Sequence, residues 1–417
     1  MERLYFAIVS MVLVFLSAHA QKASELKYHD VRELGLPIVN QGFKDCVRMG
    51  SSEKDLQVKD AIAYDKAMQQ TGETVGKSVP TDETVNDGYY TRLSARLEGK
   101  VRKAVWDLGQ NSSGLAVRFR TNSTTLGARW TLLKNNRMNH MAPTGICGFD
   151  LYALDKGTWR FVGTAQPNGK KSINLFRSGM DGKMRDFVAF FPLYDGVTEL
   201  AIGIDENAVI EQPTKNGGNP FGGTAVTPLV FYGTSITQGG CATRPGMVHT
   251  NILSRRLKRE CINLGFSGNG RMDKIMAEEM ARIDAGAYIM DCIGNCRVHV
   301  LRDSTFNFIR TLAAARPRIP IIMLSNYPYQ FEWIDESTHR RVMQEDSLWH
   351  AQYKQLRTEG FKNLRYIHIG GKNYAKDPYK GAATGEDNEC AVDGDHLTDL
   401  GFLRWSNFMF PHLKKIK

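Results

Sequence analysis

The chain has 417 residues, 42% hydrophobic and 24% charged, with a formal net charge of +10. That composition excludes a disordered or fibrous protein, and the length exceeds one ordinary core, so two domains are expected. The positive charge is scattered among acids, with no long basic run and no nucleic-acid motif, which argues against DNA or RNA as a partner.

Residues 1–20, MERLYFAIVSMVLVFLSAHA, run from a charged start through an apolar stretch to Ala18-His19-Ala20. That is the order of a secretory signal, with cleavage expected after Ala20. The apolar stretch is short for a bilayer span. The mature chain is therefore expected to be periplasmic or secreted, without stable membrane insertion. Seven cysteines are too few for a disulfide-dense scaffold, and their odd number leaves at least one unpaired.

Residues 21–100 are polar and turn-rich, and GETVGKSVPTDETVNDG reads as an exposed loop. From residue 103 to about 210 the texture is short alternating runs: GLAVRFRTNS, LGARWTLL, TWRFVGTA, DFVAFFPLY and TELAIGID. Such runs between Gly, Asn, Asp and Pro turns predict an antiparallel β-sandwich, placed over residues 21–218. The sequons at Asn111 and Asn122 mark surface turns. Residues 211–228, EQPTKNGGNPFGGTAVTP, read as a linker.

A second domain is expected over residues 226–417. Its apolar runs LVFY, CINL, YIMDCI, IPIIML and LRYIHI alternate with helical segments near 249–260, 272–284, 303–316, 338–359 and 398–414. Strand–helix alternation predicts a parallel sheet covered on both faces, a three-layer α/β/α architecture. Val342, Trp349, Tyr353 and Leu356 recur at helical spacing and belong to the core.

Ligands of such sheets bind at the carboxyl ends of the strands. The first run ends in Gly233-Thr234-Ser235, the second in residues 265–270, and the third in Gly294-Asn295. A serine hydroxyl attacking a carbonyl needs a base and donors for the oxyanion. In AVDGDHLT, Asp393 and His396 are three apart, so one helical turn would let the carboxylate orient the imidazole. Asp395 reads as a helix cap. The N–H groups of Ser235 and Gly268 and the amide of Asn295 would make an oxyanion hole. Arg244 is a candidate for bonding sugar hydroxyls or a uronic carboxylate, or else an ion pair that pins its loop. Cys292, Cys296 and His299 lack the fourth ligand of an ordinary zinc site, so no metal is assigned to them.

These blocks, in this order, resemble the SGNH (GDSL-type) hydrolase family. Ser235 stands at its block I serine, Gly268 at its block II glycine, Asn295 at its block III asparagine, and Asp393 with His396 at its Asp-x-x-His block. GTSITQGGCATRPGM followed by INLGFSGNGRM is similar to a branch whose upstream domain carries Gly-x-Asp-Leu-Tyr, here Gly148-Phe149-Asp150-Leu151-Tyr152. YYTRLSARL and VWDLGQNSSGLAVRFRTNS also resemble that upstream domain. Two positions depart from the pattern: Thr234 replaces the usual block I Asp, and block III reads Gly294-Asn295-Cys296 where the family has Gly-x-Asn-Asp, or Pro-Asn in this branch. A Gly-x-Ser-x-Gly elbow is excluded because Thr237 holds its fifth place.

The resemblance implies a flavodoxin-like catalytic domain and a serine esterase with no metal or organic cofactor, which the leader would export. Its expected partner is a small ester or acetylated glycan. The alternatives are a lipase or thioesterase for longer acyl chains, and a carbohydrate-binding protein whose site has lapsed.

Overall fold

The computed structural model describes residues 22–47, 86–215, 219–224, 227–370, 385 and 389–416. The expected leader lies outside the described residues, as does most of the loop expected near residues 72–88. Among the described residues no helix is long and apolar enough to cross a membrane.

The alternating runs do become strands: β1 (Lys27–Asp30), β2 (Ile38–Val39), β3 (Ala116–Thr121), β4 (Leu126–Leu132), β5 (Phe149–Asp155), β6 (Thr158–Ala165), β7 (Lys171–Arg177), β8 (Arg185–Phe190), β9 (Val197–Ile204) and β10 (Ile210–Glu211). They form two antiparallel sheets, ordered β1-β9-β4-β7 and β10-β3-β8-β5-β6, with β2 paired to β3. Inward residues Phe119, Trp130, Phe149, Phe187 and Ile202 fill the space between the sheets. Phe119 stacks on Phe187 with 5.6 Å between centroids, and Trp130 meets Phe149 edge-on at 5.4 Å. Each fully buried apolar side chain of this size contributes roughly 1.5–3 kcal/mol of burial.

The second half contains β11 (Leu229–Gly233), β12 (Cys261–Gly265), β13 (Ala287–Asp291), β14 (Ile321–Leu324) and β15 (Leu364–Ile367). These five pair in the order β12-β11-β13-β14-β15, every pair parallel. Helices Lys274–Met280, Val298–Ala315 and Glu336–Thr358, with His249–Leu257 and Asp399–Leu413, cover the sheet. Val342, Trp349 and Leu356 are buried as their spacing implied, and the Trp349 indole N–H donates to the Leu324 carbonyl at 2.9 Å. The helix expected from residue 303 begins at Val298, after an extended Arg297 that offers no side-chain cap. Without a cap residue the sequence carries no start signal there. β11 lies between β12 and β13, so the chain reverses its direction of travel across the sheet at β11. Such a switch point opens a crevice at the carboxyl ends of the strands.

The two halves share a core that runs from the sandwich into β11 and β13. Arg92 is buried between them: its guanidinium donates to the carbonyls of Leu108 at 2.6 Å, Asn111 at 2.9 Å, Asn263 at 3.2 Å and Gly265 at 2.6 Å. Burial pushes its pKa down to about 9.

Asp150, in the Gly-x-Asp-Leu-Tyr motif on β5, is 0% exposed. One carboxylate oxygen accepts from the Thr164 hydroxyl at 2.6 Å; the other accepts from Arg244 at 2.6 Å and the Gly246 N–H at 2.8 Å. Burial raises its pKa, while Arg244, Thr164 and Gly246 favour the charged form. Asp150→Ala strands the Gly246 N–H and the Thr164 hydroxyl and leaves Arg244, 25% exposed, without its carboxylate. It is therefore expected to lower unfolding stability by about 1–3 kcal/mol. Asp150→Ala/Arg244→Ala should cost less than the two single losses added. Denaturant unfolding of the three variants measures both quantities.

Candidate active site

β11, β12 and β13 end level with one another, Gly233 facing Gly265 on one side and Asp291 on the other. The loops that follow therefore leave the sheet together. A Cβ on Gly233 would overlap the Thr237 hydroxyl and the Asp291 carbonyl, so only glycine lets the next turn fold this tightly. That turn is the short helix Ser235–Gln238, whose first residue is the candidate nucleophile. The Thr234 hydroxyl accepts from the Ile236 N–H at 3.2 Å. Threonine thus supplies the N-terminal cap at the position where the family pattern has Asp.

Ser235 Oγ lies 2.9 Å from His396 Nε2, and His396 Nδ1 lies 2.8 Å from Asp393 Oδ2. With Asp393 accepting from Nδ1–H, the lone pair of Nε2 faces the serine hydroxyl. Ser235 and His396 remain 7% and 8% exposed, so the site is nearly dry but open.

Asp393 and His396 meet in a different way from the helical turn expected. Gly394 has φ +87°, which breaks any helix, and Asp393 Oδ1 instead accepts the N–H groups of Asp395 at 3.0 Å and His396 at 2.8 Å. The cap of the helix Asp399–Leu413 is Thr398, which accepts from the Gly401 N–H at 3.4 Å, and not Asp395. Burial alone would raise the Asp393 pKa. The His396 hydrogen bond and charge, joined by two backbone donors, outweigh it and hold the carboxyl well below the usual carboxylate range.

Gly268 follows β12 with φ +64°, a left-handed conformation that favours glycine. Asn295 follows β13 in a short 3-10 turn, Ile293–Asn295. Its carbonyl oxygen accepts from the Gly270 N–H at 3.2 Å, which fixes the flip of the amide and leaves Nδ2 as its donor end. The Cys296 thiol donates to the Gly270 carbonyl at 3.4 Å. Asn295 and Cys296 thus hold the loop after β12 from both sides of one glycine. Cys292 and Cys296 are buried, whereas His299 is exposed, so these three do not converge on one point.

Arg244, the candidate sugar contact, is drawn elsewhere. Besides Asp150, its guanidinium donates to the Tyr152 hydroxyl at 2.8 Å and lies 4.1 Å from the Phe161 ring centroid. Bonded to the buried carboxylate and packed on aromatic rings of the sandwich, it forms an ion pair that pins its loop, with its side chain 25% exposed.

Several supporting residues carry no local signal in the sequence. The Tyr194 hydroxyl donates to the Ser235 carbonyl at 3.0 Å, and the Gln238 amide donates to the Leu193 carbonyl at 3.2 Å while accepting the Ser267 N–H at 3.0 Å. Beneath the site, Asp291 accepts from Thr237 at 2.8 Å and Tyr327 at 2.9 Å. Burial pushes the Asp291 carboxyl up to about 7 against those donors. The His140 ring, from the sandwich, lies 5.7 Å from the His396 ring between centroids. Tyr194, Asp291, Tyr327 and His140 come from distant parts of the chain, where neither spacing nor composition marks them for this site.

An arrangement of hydroxyl, imidazole, carboxylate and convergent donors suits acyl transfer through a serine ester. Comparison with known proteins agrees with that chemistry. Residues 226–414 match the model of the GDSL-like Lipase/Acylhydrolase family, and residues 62–210 match that of the N-terminus of Esterase_SGNH_hydro-type. A GDSL-like lipase from Bacteroides ovatus ATCC 8483 superimposes with a TM-score of 0.75 at 28% identity, covering 94% of this chain and 98% of the other. The salicylyl-acyltransferase SsfX3 of a tetracycline biosynthetic pathway shares the fold, with a TM-score of 0.60 at 14% identity over 82% of this chain and 96% of that one. No curated protein matches the sequence. With one family model over each half, the chain belongs to the SGNH (GDSL-type) esterases that carry an upstream Gly-x-Asp-Leu-Tyr domain.

Proposed function

We propose that the protein is an exported serine esterase that removes small acyl groups, acetyl foremost, from carbohydrate. The observation that carries the catalytic part is the continuous chain from Ser235 through His396 to Asp393, at 2.9 and 2.8 Å. Ser235 Oγ attacks the ester carbonyl as its proton passes to His396 Nε2. The oxyanion that forms accepts hydrogen bonds from the N–H groups of Ser235 and Gly268 and from Asn295 Nδ2. His396 then gives its proton to the leaving alcohol. In the second half water attacks the acyl-enzyme, with His396 again taking and returning a proton. Asp393 keeps the imidazole in the accepting tautomer throughout.

Three features support a small acyl group on a polar, extracellular substrate. The leader sequence favours export. The segment after Ser235 packs against Leu193 and Tyr194 of the sandwich and carries small and polar residues, ITQGGCATRPG, where an acyl channel would want apolar lining. The net charge of +10 mildly favours an acidic polymer over a neutral one, an attraction that salt weakens.

Ser235→Ala is expected to reduce ester hydrolysis by at least ~10⁴-fold while leaving the unfolding transition in place. Turnover within tenfold of the parent would remove Ser235 from the nucleophile role. Asn295→Ala should lower kcat by roughly 10²–10³-fold with a smaller effect on KM, because the oxyanion exists only after attack begins. A change confined to KM would make Asn295 a substrate-positioning residue instead. For specificity, p-nitrophenyl esters of graded chain length are compared with acetate release from acetylated pectin, xylan and a neutral glucomannan. Acetyl esters and at least one polymer should be favoured. Faster hydrolysis of octanoyl esters, with no acetate from any polymer, points to a lipase.

A further inference from the structure

We propose that His140, Asp393 and His396 form a site for a divalent transition-metal ion of the zinc class, and that an ion bound there switches the esterase off. The inhibitory part rests on the reading of Ser235 and His396 as the catalytic pair. One ligand atom from each of the three residues lies within 4.8 Å of the other two. Donors around a tetrahedral zinc ion, at about 2.0–2.2 Å from it, are roughly 3.3–3.6 Å apart. Closing to that spacing requires rotation of His140, which is half-buried, and of Asp393, whose side chain is 41% exposed. Two imidazoles and one carboxylate suit zinc or cobalt, whereas magnesium and calcium favour oxygen-only shells.

His140 is prepared for the role. Its Nδ1 lies 3.0 Å from Asn139 Oδ1, which places the proton on Nδ1 and the lone pair on Nε2. A carbonyl oxygen bonded to the second ring nitrogen is the outer-shell partner that orients metal-bound histidines. The loop that delivers His140 is also braced. The buried Asp195 carboxylate accepts the N–H groups of Lys134 at 3.0 Å, Asn135 at 2.7 Å and Asn136 at 2.8 Å.

The ion that His396 shares with Asp393 binds at Nδ1, the ring nitrogen 2.8 Å from the carboxylate. There it displaces the proton to Nε2, which then has no lone pair to offer Ser235. Asp393 gives up its orienting bond as it becomes a ligand. No bond to substrate is made or broken, and removal of the ion restores the starting state. The ion acts as an inhibitor, so chelators leave hydrolysis undiminished.

The test uses cobalt(II) as a spectroscopic probe and zinc as the inhibitor. Metal-free parent protein, Ser235→Ala and His140→Ala are titrated with cobalt(II), and the visible absorption of the bound ion is followed. In parallel, p-nitrophenyl acetate hydrolysis by the parent and His140→Ala is measured against free zinc, before and after EDTA. The parent and Ser235→Ala should bind cobalt(II) alike, and His140→Ala at least about tenfold more weakly. Measured against its own metal-free turnover, His140→Ala should need at least about tenfold more zinc for half-inhibition, with EDTA reversing the effect. Equal cobalt affinity in the parent and His140→Ala overturns the site. Cobalt binding that depends on His140, with hydrolysis indifferent to zinc, overturns the switch. The cobalt spectrum needs no turnover, so a failure of the esterase reading, seen as undiminished hydrolysis by Ser235→Ala, is separate from a failure of the metal site.

Discussion

The buried carboxylate of Asp150 is the constraint on which the rest of the molecule depends. It belongs to the sandwich, yet two of its hydrogen bonds go to Arg244 and Gly246, on the segment that follows the candidate nucleophile. A fully buried carboxylate is stable only when each oxygen is matched by donors. The match exists only when the two halves are docked in this one register. Arg255 strengthens it by lying 3.9 Å from the Tyr152 ring centroid while donating to the Gly246 carbonyl at 2.8 Å. Docking register and loop conformation are therefore one problem with one solution.

That solution extends to the reactive atoms. The serine turn is held from below by Thr237 on Asp291 and from the sandwich side by Tyr194 on the Ser235 carbonyl. Asn295 and Cys296 hold the neighbouring loop through Gly270. The two departures from the family pattern are thus absorbed locally. Thr234 still caps the serine helix, and the Cys296 thiol still finds an acceptor. Neither the hydroxyl nor the amide loses its support, and serine, imidazole and carboxylate come to rest already aligned.

Much of this was legible in the chain because its signals are local. Period-two alternation marked β3, β4, β6, β8 and β9, and apolar runs marked the five parallel strands. The exits of β11, β12 and β13 marked Ser235, Gly268 and Asn295. The remainder depends on contacts between distant segments. β1 is a polar four-residue strand, KYHD, which is ordered because β9 offers it an edge. The Asp393–His396 spacing suggested a helical turn, but Gly394 at positive φ allows an Asx-type turn that reaches the same meeting point. For Arg244 the sequence left a ligand contact and a loop-pinning ion pair both open, because it cannot show that Asp150, 94 positions earlier, lies buried beside it.

The same long-range contacts change what the sandwich is for. An appended binding module would touch the catalytic domain through a polar, replaceable surface, since interfaces between independent domains are of that kind. Here the hydrophobic core is continuous across the junction, and Arg92 crosses it to bond carbonyls on both sides. Tyr194 reaches the backbone of Ser235, and His140 stands beside the imidazole of His396. A parallel sheet supplies the reactive groups at its carboxyl edge but cannot wall that edge by itself. The sandwich supplies part of that wall, with His140 beside the imidazole and Tyr194 on the Ser235 carbonyl.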